Sequence, residues 1–297
     1  MKISESEQMA THDHTAGRSS EWAPAGDASV EELRARALEL RRLMMQMAAG
    51  KGEGYIAQGL ALADALAVVY FRELRHDPRN PGWSDRDRFV LSTGHYSIAL
   101  YAAIALADVI PMDELDSFGL NGSRLPLSTF EELEGVEVTG GSLGHGAGQA
   151  VGMALGLRLD KRDSRVILEM SDGELQEGST WEAAMAASNF QLDNLIALVD
   201  CNGIQADGPM VLDIEPVGDK WRAFGWDVQE VDGNDVAAIV AAFDRLRARN
   251  GQPKAIVLRT TPGKGVPTIE ARERAHFVRV GDDEWDALKA ELEETHA

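Results

Sequence analysis

Asp172 and Asn202 each follow a short apolar run, and each carries an oxygen ligand. Arg165-Val166-Ile167-Leu168-Glu169-Met170 leads into Ser171-Asp172-Gly173-Glu174. Asn194-Leu195-Ile196-Ala197-Leu198-Val199 leads into Asp200-Cys201-Asn202-Gly203-Ile204. A helix-like stretch lies between them, so the pattern predicts strand, helix, parallel strand. In open α/β sheets ligands bind outside the carboxyl ends of the strands. A carboxylate and an amide oxygen there suit a hard divalent ion such as Mg²⁺, which takes six oxygens and shares them with phosphates. The same two residue types also cap helices and turns, so an Asp-Gly pair alone decides nothing.

The elements that must position these residues alternate between strands and helices, which predicts one α/β domain with a mostly parallel sheet and helices on both faces. Asp27 or Ser29 caps a helix from Val30 to Met47, whose apolar face is Leu33, Leu40, Leu43, Met44 and Met47. The glycine-rich turn from Gly50 to Gly54 breaks it, and Leu60 to Leu74 reads as a buried helix. A strand from Asp87 to Ser92 ends at Thr93-Gly94-His95, and the Ala-rich segment beyond is helical. The loop Thr139-Gly140-Gly141-Ser142-Leu143-Gly144-His145-Gly146 precedes a helix from about Gly148 to Leu159. Strands are expected at Asp227–Val231 and Lys254–Arg259 around a helix from Val236 to Arg249, with an acidic helix from Asp282 to Glu294. Residues 1–28 lack apolar periodicity and read as a flexible arm, leaving 29–297 as the domain.

Composition narrows the partners. A net charge of −20 argues against nucleic acid and anionic membranes. No apolar run is long enough to span a bilayer, and no signal-peptide core opens the chain. The single cysteine, Cys201, forms no internal disulfide and fits a reducing, cytoplasmic compartment. A phosphate ligand would meet general repulsion, which a bound Mg²⁺ and local backbone N–H groups can offset.

The run from Ser171 through Glu177-Gly178-Ser179-Thr180-Trp181-Glu182, then Leu192-Asp193-Asn194 and Asp200 to Gly208, resembles the thiamine diphosphate motif of transketolases. Ser171 stands where that family usually has Gly. The resemblance implies that Asp172, Asn202 and the carbonyl of Ile204 hold Mg²⁺, and that Gly173 lets its backbone approach the diphosphate. Asp85-Arg86-Asp87-Arg88-Phe89-Val90-Leu91-Ser92-Thr93-Gly94-His95 is similar to the family's segment whose His contacts the diphosphate, which falls on His95. Gly135 to Gly146 resembles the loop around the cofactor rings. Gly141 there lets a backbone carbonyl reach the aminopyrimidine, and Leu143 props the cofactor in its bent shape. Lys264-Gly265-Val266 through His276 resembles a late His-bearing stretch, making His276 a diphosphate or substrate contact, although Phe277 replaces the family's Gly. Glu177 and Glu182 match acidic residues that relay protons at the subunit interface. A solvated helix face is the competing account of both.

The resemblance covers roughly residues 30 to 280, and no segment resembles the family's pyrimidine-binding or C-terminal domain. The pyrimidine domain carries the Glu that activates the cofactor. The chain is therefore expected to be the diphosphate-binding subunit of a split enzyme, completed by a second polypeptide, with two copies of each chain. Two family histidines that recognise sugar hydroxyls are replaced, the first by Tyr55 and the second within Leu127-Ser128-Thr129. Tyr55 and Ser128 can still donate hydrogen bonds to a related keto substrate, or they only fill space. The implied activity is transfer of a two-carbon ketol or related acyl unit to an aldehyde. A subunit that decarboxylates a 2-oxo acid and a non-catalytic cofactor-binding partner are the alternatives.

Overall fold

The computed structural model describes residues 19–206, 208–281 and 283–296. Five strands form one parallel sheet: β1 (Arg88–Leu91), β2 (Val166–Ser171), β3 (Leu195–Cys201), β4 (Asp227–Asp232) and β5 (Lys254–Arg259), in the order β1-β2-β3-β5-β4. β2 and β3 are neighbours, with Ser171 opposite Asp200. Their ends therefore lie side by side, as the apolar runs predicted. Antiparallel pairing among the described strands is confined to two-residue ribbons, 53–54 with 278–279 and 204–205 with 208–209.

Both faces of the sheet are covered, which is why its strands are apolar on both sides. On one face Val166, Leu168, Met170, Leu195, Ala197 and Val199 pack with α4 (His145–Leu159), α5 (Gly178–Asn189) and α6 (Val217–Ala223). On the other, Ile167, Ile196, Leu198, Ile256 and Leu258 join a larger core. Its helices are α1 (Val30–Lys51), α2 (Ile56–Val68), α3 (Ser97–Leu106), α7 (Val236–Arg245) and α8 (Trp285–Thr295). Successive strand residues alternate faces, so Glu169 and Asp200 project to the side of Ile167 and Leu198. Every residue of α2 is buried. None of the described helices is long and apolar enough to cross a membrane.

Several boundaries differ from the sequence expectation for local reasons. Ser29, not Asp27, caps α1, in a capping box with Glu32. The buried helix begins at Ile56 rather than Leu60 and ends in a π-helical turn, Val69–Glu73. α4 begins at His145, directly after Gly144 in the left-handed conformation at φ 82°. The arm expected over residues 1–28 is corrected from residue 20 onward. The Trp22 backbone donates to the Arg247 carbonyl, Arg249 donates back to the Ser20 carbonyl, and Glu21 bridges to Ala248. The Trp22 ring is buried under the Arg249 guanidinium, 3.4 Å above its centroid. This pairing ends α7 at Arg245 instead of Arg249. Residues 1–18 lie outside the described residues.

Candidate cofactor site

The loops after β2 and β3 are stitched together by Asp172. Its backbone N–H donates to the Asp200 carbonyl at 2.9 Å. Its carboxylate accepts the N–H of Gly173 and that of Gly203, each at 2.7 Å. Asn202 turns its Oδ1 onto the Ile204 N–H at 3.1 Å. The Asn202 amide donates to Asp200 Oδ2 at 2.6 Å and to the Tyr96 hydroxyl at 3.0 Å. The Thr260 hydroxyl also donates to Asp200. Asp172, Asn202 and Ile204 thus share one connected turn.

Acids accumulate beneath this turn without an ion-pair partner, the Arg259 guanidinium acting on Asp172 only from a distance. Asp172, Glu169, Glu174 and Asp200 are all buried, and none forms an ion pair among the described residues. Burial pushes Asp172 up to about 6, against the pull of the Gly203 and Gly173 amides, and Asp200 up to about 7. Burial also holds Glu169 well above the ordinary carboxylate range. The Thr93 hydroxyl donates to one Glu169 oxygen, while the other has no hydrogen-bond partner. No group of three or more His, Cys, Asp or Glu side chains among the described residues could by itself cage a metal.

An imidazole pair stands across from the acids. His95 lies in the turn after β1, and its ring centroid is 5.4 Å from that of His276. Tyr55 packs edge-on against His95 at 4.8 Å, His276 at 5.3 Å and Phe277 at 4.9 Å. Gln58 Nε2, on buried α2, lies 2.9 Å from His276 Nδ1. Burial, reinforced by His276, pushes His95 down to about 4. His95 is therefore a neutral ring at physiological pH.

A cavity of about 230 Å³ opens between these walls, lined by His95, Leu143, Ser171, Gly173, Ile204 and His276 among others. Residues far apart in sequence but singled out there meet in this one space. The glycine loop is held close by backbone contact: a side chain on Gly94 would collide with the backbone of Gly140 and Gly141. Ser128 Oγ donates to the Gly140 carbonyl at 3.1 Å, and Thr129 accepts from Gly140. Ser128 and Gly141 do not line the cavity, and Gly141 is exposed at φ 115°. Glu177 and Glu182 sit at the start of α5 and within it, both solvent-exposed and without an ion pair among the described residues.

Sequence reasoning passed over Glu169, Glu174, Tyr96 and Thr260. Only Glu169 left a clear sign: it is a charge inside an otherwise apolar run, where a strand buried on both faces has no room for one.

The comparisons with known proteins agree with this geometry. Residues 33–295 match the family model described as transketolase, thiamine diphosphate binding domain. A transketolase family protein of Sinorhizobium fredii is 54% identical over 254 residues, covering 84% of this chain and 91% of its own. The 6-deoxy-6-sulfo-D-fructose transketolase subunit of a Clostridium species is 40% identical over 269 residues, covering 90% and 98%. The crystal structure of transketolase from Campylobacter jejuni superimposes with a TM-score of 0.83 at 30% identity, over 90% of this chain but 43% of that one. The chain, with its parallel sheet and its cavity at the strand ends, belongs to the transketolase family and matches that family's thiamine diphosphate binding domain.

Proposed function

We propose that the chain is the diphosphate-binding subunit of a two-component transketolase-like enzyme, and that it holds thiamine diphosphate and Mg²⁺ in the cavity at the ends of β2 and β3. The observation that carries this reading is the connected turn of Asp172, Asn202 and Ile204 beside a cavity that Ser171, Gly173, Ile204, His95 and His276 line, with Asp172 and Asn202 just outside the lining. The donor set fits Mg²⁺: one carboxylate, one amide oxygen and one backbone carbonyl leave positions for phosphate oxygens and water. The buried Asp172 fits as well: it forms no ion pair among the described residues, and a divalent ion favours its charged form.

When bound, thiamine diphosphate supplies the electron sink for breaking the bond beside a carbonyl. This chain's residues bind and orient. Neutral His95 can donate a hydrogen bond toward a phosphate oxygen without adding a positive charge, and His276 stands beside it. Gly173 keeps the backbone close and Leu143 supports the rings. The chain spans two fifths of the full-length transketolase it superimposes on and nearly all of a separate transketolase subunit. A second subunit therefore supplies the pyrimidine-binding and C-terminal domains. Glu177 and Glu182, exposed beside Met185 and Phe190, face that partner or a second copy in an assembly with two of each chain. The single thiol favours the cytoplasm.

The substrate is a ketose-like donor with an aldehyde acceptor. Tyr55, at the place of one family histidine, packs against His276 and Phe277, which favours a keto donor related to but different from a common pentulose. The relative named for a sulfo-sugar transketolase shows how far donors diverge around such a domain. Ser128, turned onto Gly140, shapes the loop, with its hydroxyl proton committed there.

Asp172→Ala tests the metal assignment. The variant should remain folded and lose Mg²⁺-dependent retention of thiamine diphosphate on gel filtration; unchanged retention would sink it. Reconstitution with the candidate partner should give transfer from ketose to aldehyde, whereas CO₂ release from a 2-oxo acid would replace the transferase reading.

A further inference from the structure

We propose that Glu174 is a positioning residue: with Ser179 it clamps the backbone of Gly144 on both sides, so that the loop bearing Leu143 and the turn bearing Asp172 hold the cofactor as one rigid unit. The inference rests on the cavity being the thiamine diphosphate site.

Glu174 lies in the single turn Gly173–Gln176, two residues beyond Asp172, and is fully buried. Its Oε1 accepts the Gly144 N–H at 2.7 Å and also the Ser92 hydroxyl. Its backbone is fixed at both ends. The N–H donates to Ser171 Oγ at 3.3 Å, and the carbonyl accepts the Thr180 hydroxyl at 3.1 Å. The other polar group of Gly144, its carbonyl, accepts the Ser179 hydroxyl at 2.9 Å. Both backbone hydrogen-bonding groups of this one residue, in the two peptide units that flank its Cα, are thus taken by the segment that follows Asp172.

The packing closes as tightly as the hydrogen bonds. A Cβ on Gly144 would stand 2.7 Å from the Glu177 Cβ, so no side chain fits between the two segments. Leu143 is the preceding residue and lines the cavity. Ser92 lies three residues before His95 on the same strand-to-helix turn. Three walls of the site, carried by β1, the glycine loop and the end of β2, therefore converge on one carboxylate. Without it, a buried N–H and a buried hydroxyl lose their acceptor together, and the loop must move to find water. The Asp172 turn and His95 keep their other contacts. Loss of the clamp should loosen the ring-supporting side of the site and spare the diphosphate side.

That asymmetry gives the test. Calorimetry on the chain reconstituted with its partner subunit, in Mg²⁺, compares thiamine diphosphate with inorganic pyrophosphate, which lacks the rings. Glu174→Ala should weaken thiamine diphosphate about tenfold or more, the scale of one lost buried hydrogen bond. Pyrophosphate affinity should change by less than about threefold on the same scale. Glu174→Gln keeps an oxygen acceptor and should restore thiamine diphosphate binding to within about threefold of wild type. Equal loss of both ligands in Glu174→Ala would mean general disruption, and full binding of both would mean no clamp; either overturns the proposal. So would a glutamine variant as weak as the alanine one. If the wild-type complex bound neither ligand, the cofactor site itself would be refuted, and the clamp with it.

Discussion

The two ends of the sheet both bury acidic side chains, yet they treat them oppositely. At the amino ends, Glu73 is fully buried and accepts from Arg247 through both carboxylate oxygens, at 2.6 Å each, and from Arg72 at 2.9 Å and Arg165 at 3.3 Å. Asp87, equally buried, takes the Arg165 guanidinium at 3.1 Å and the backbone N–H groups of Arg165 and Arg75. At the carboxyl ends, Glu169, Asp172, Glu174 and Asp200 pair with no arginine or lysine among the described residues, and one oxygen each of Glu169 and Glu174 lacks a partner. Burial is the same; the supply of cations is not. An acid surrounded by arginines belongs to the architecture. Acids gathered without cations mark where a ligand is expected to bring the positive charge.

Removing an acid should therefore have opposite effects at the two ends. Glu73→Ala removes the fully buried carboxylate shared by Arg72 and the buried Arg165 and Arg247, and should cost about 3–5 kcal/mol in urea unfolding. A loss under about 1 kcal/mol would erase the distinction between the ends. Glu169→Gln should instead stabilise the ligand-free chain above neutral pH, by about 1–3 kcal/mol, by removing a carboxyl that burial disfavours as an anion. The sign follows from proton binding. The folded state holds the Glu169 proton more tightly than the unfolded state, whose pKa is near 4.5. Its favourable contribution is complete below that value and is lost as pH rises through the raised folded pKa. Wild-type melting temperature should fall with rising pH more steeply than that of Glu169→Gln. Parallel profiles would show that Glu169 is not held protonated.

The paired network was also the less legible of the two ends. Strands such as Lys254–Arg259 could be bounded from sequence because a strand buried on both faces must be apolar throughout. The site's outline was legible for a related reason: Asp172 and Asn202 follow such runs directly, so their strands fix their places. His95 and His276 were readable only through family resemblance, since nothing local says that Tyr55 packs against both rings. Trp22 was misjudged as part of an arm because its partner, Arg249, is remote in sequence. The start of α4 was set too late because a glycine run obscures helix propensity, and only the left-handed Gly144 marks the boundary. Glu174 gave no signal at all. Its neighbours suggest a turn, and its convergence with Gly144 and Ser92 exists only after three segments have docked.

A smaller perturbation separates burial from pairing within the arginine network. Asp244 accepts from both Arg72 and Arg247, as Glu73 does, but its side chain is 49% exposed. Its neighbours hold its carboxyl below the ordinary range through hydrogen bonds from Arg247 and Arg72, against a desolvation effect that works the other way. Water screens such a pair and can solvate either partner left behind. Asp244→Ala should thus cost no more than about 1 kcal/mol, and about 1 M salt should largely remove the difference from wild type. If it cost as much as Glu73→Ala, the number of arginine contacts would set the energy at this end, and enclosure would not. The same conclusion would then weaken the argument at the other end, where enclosure without cations is what marks the site.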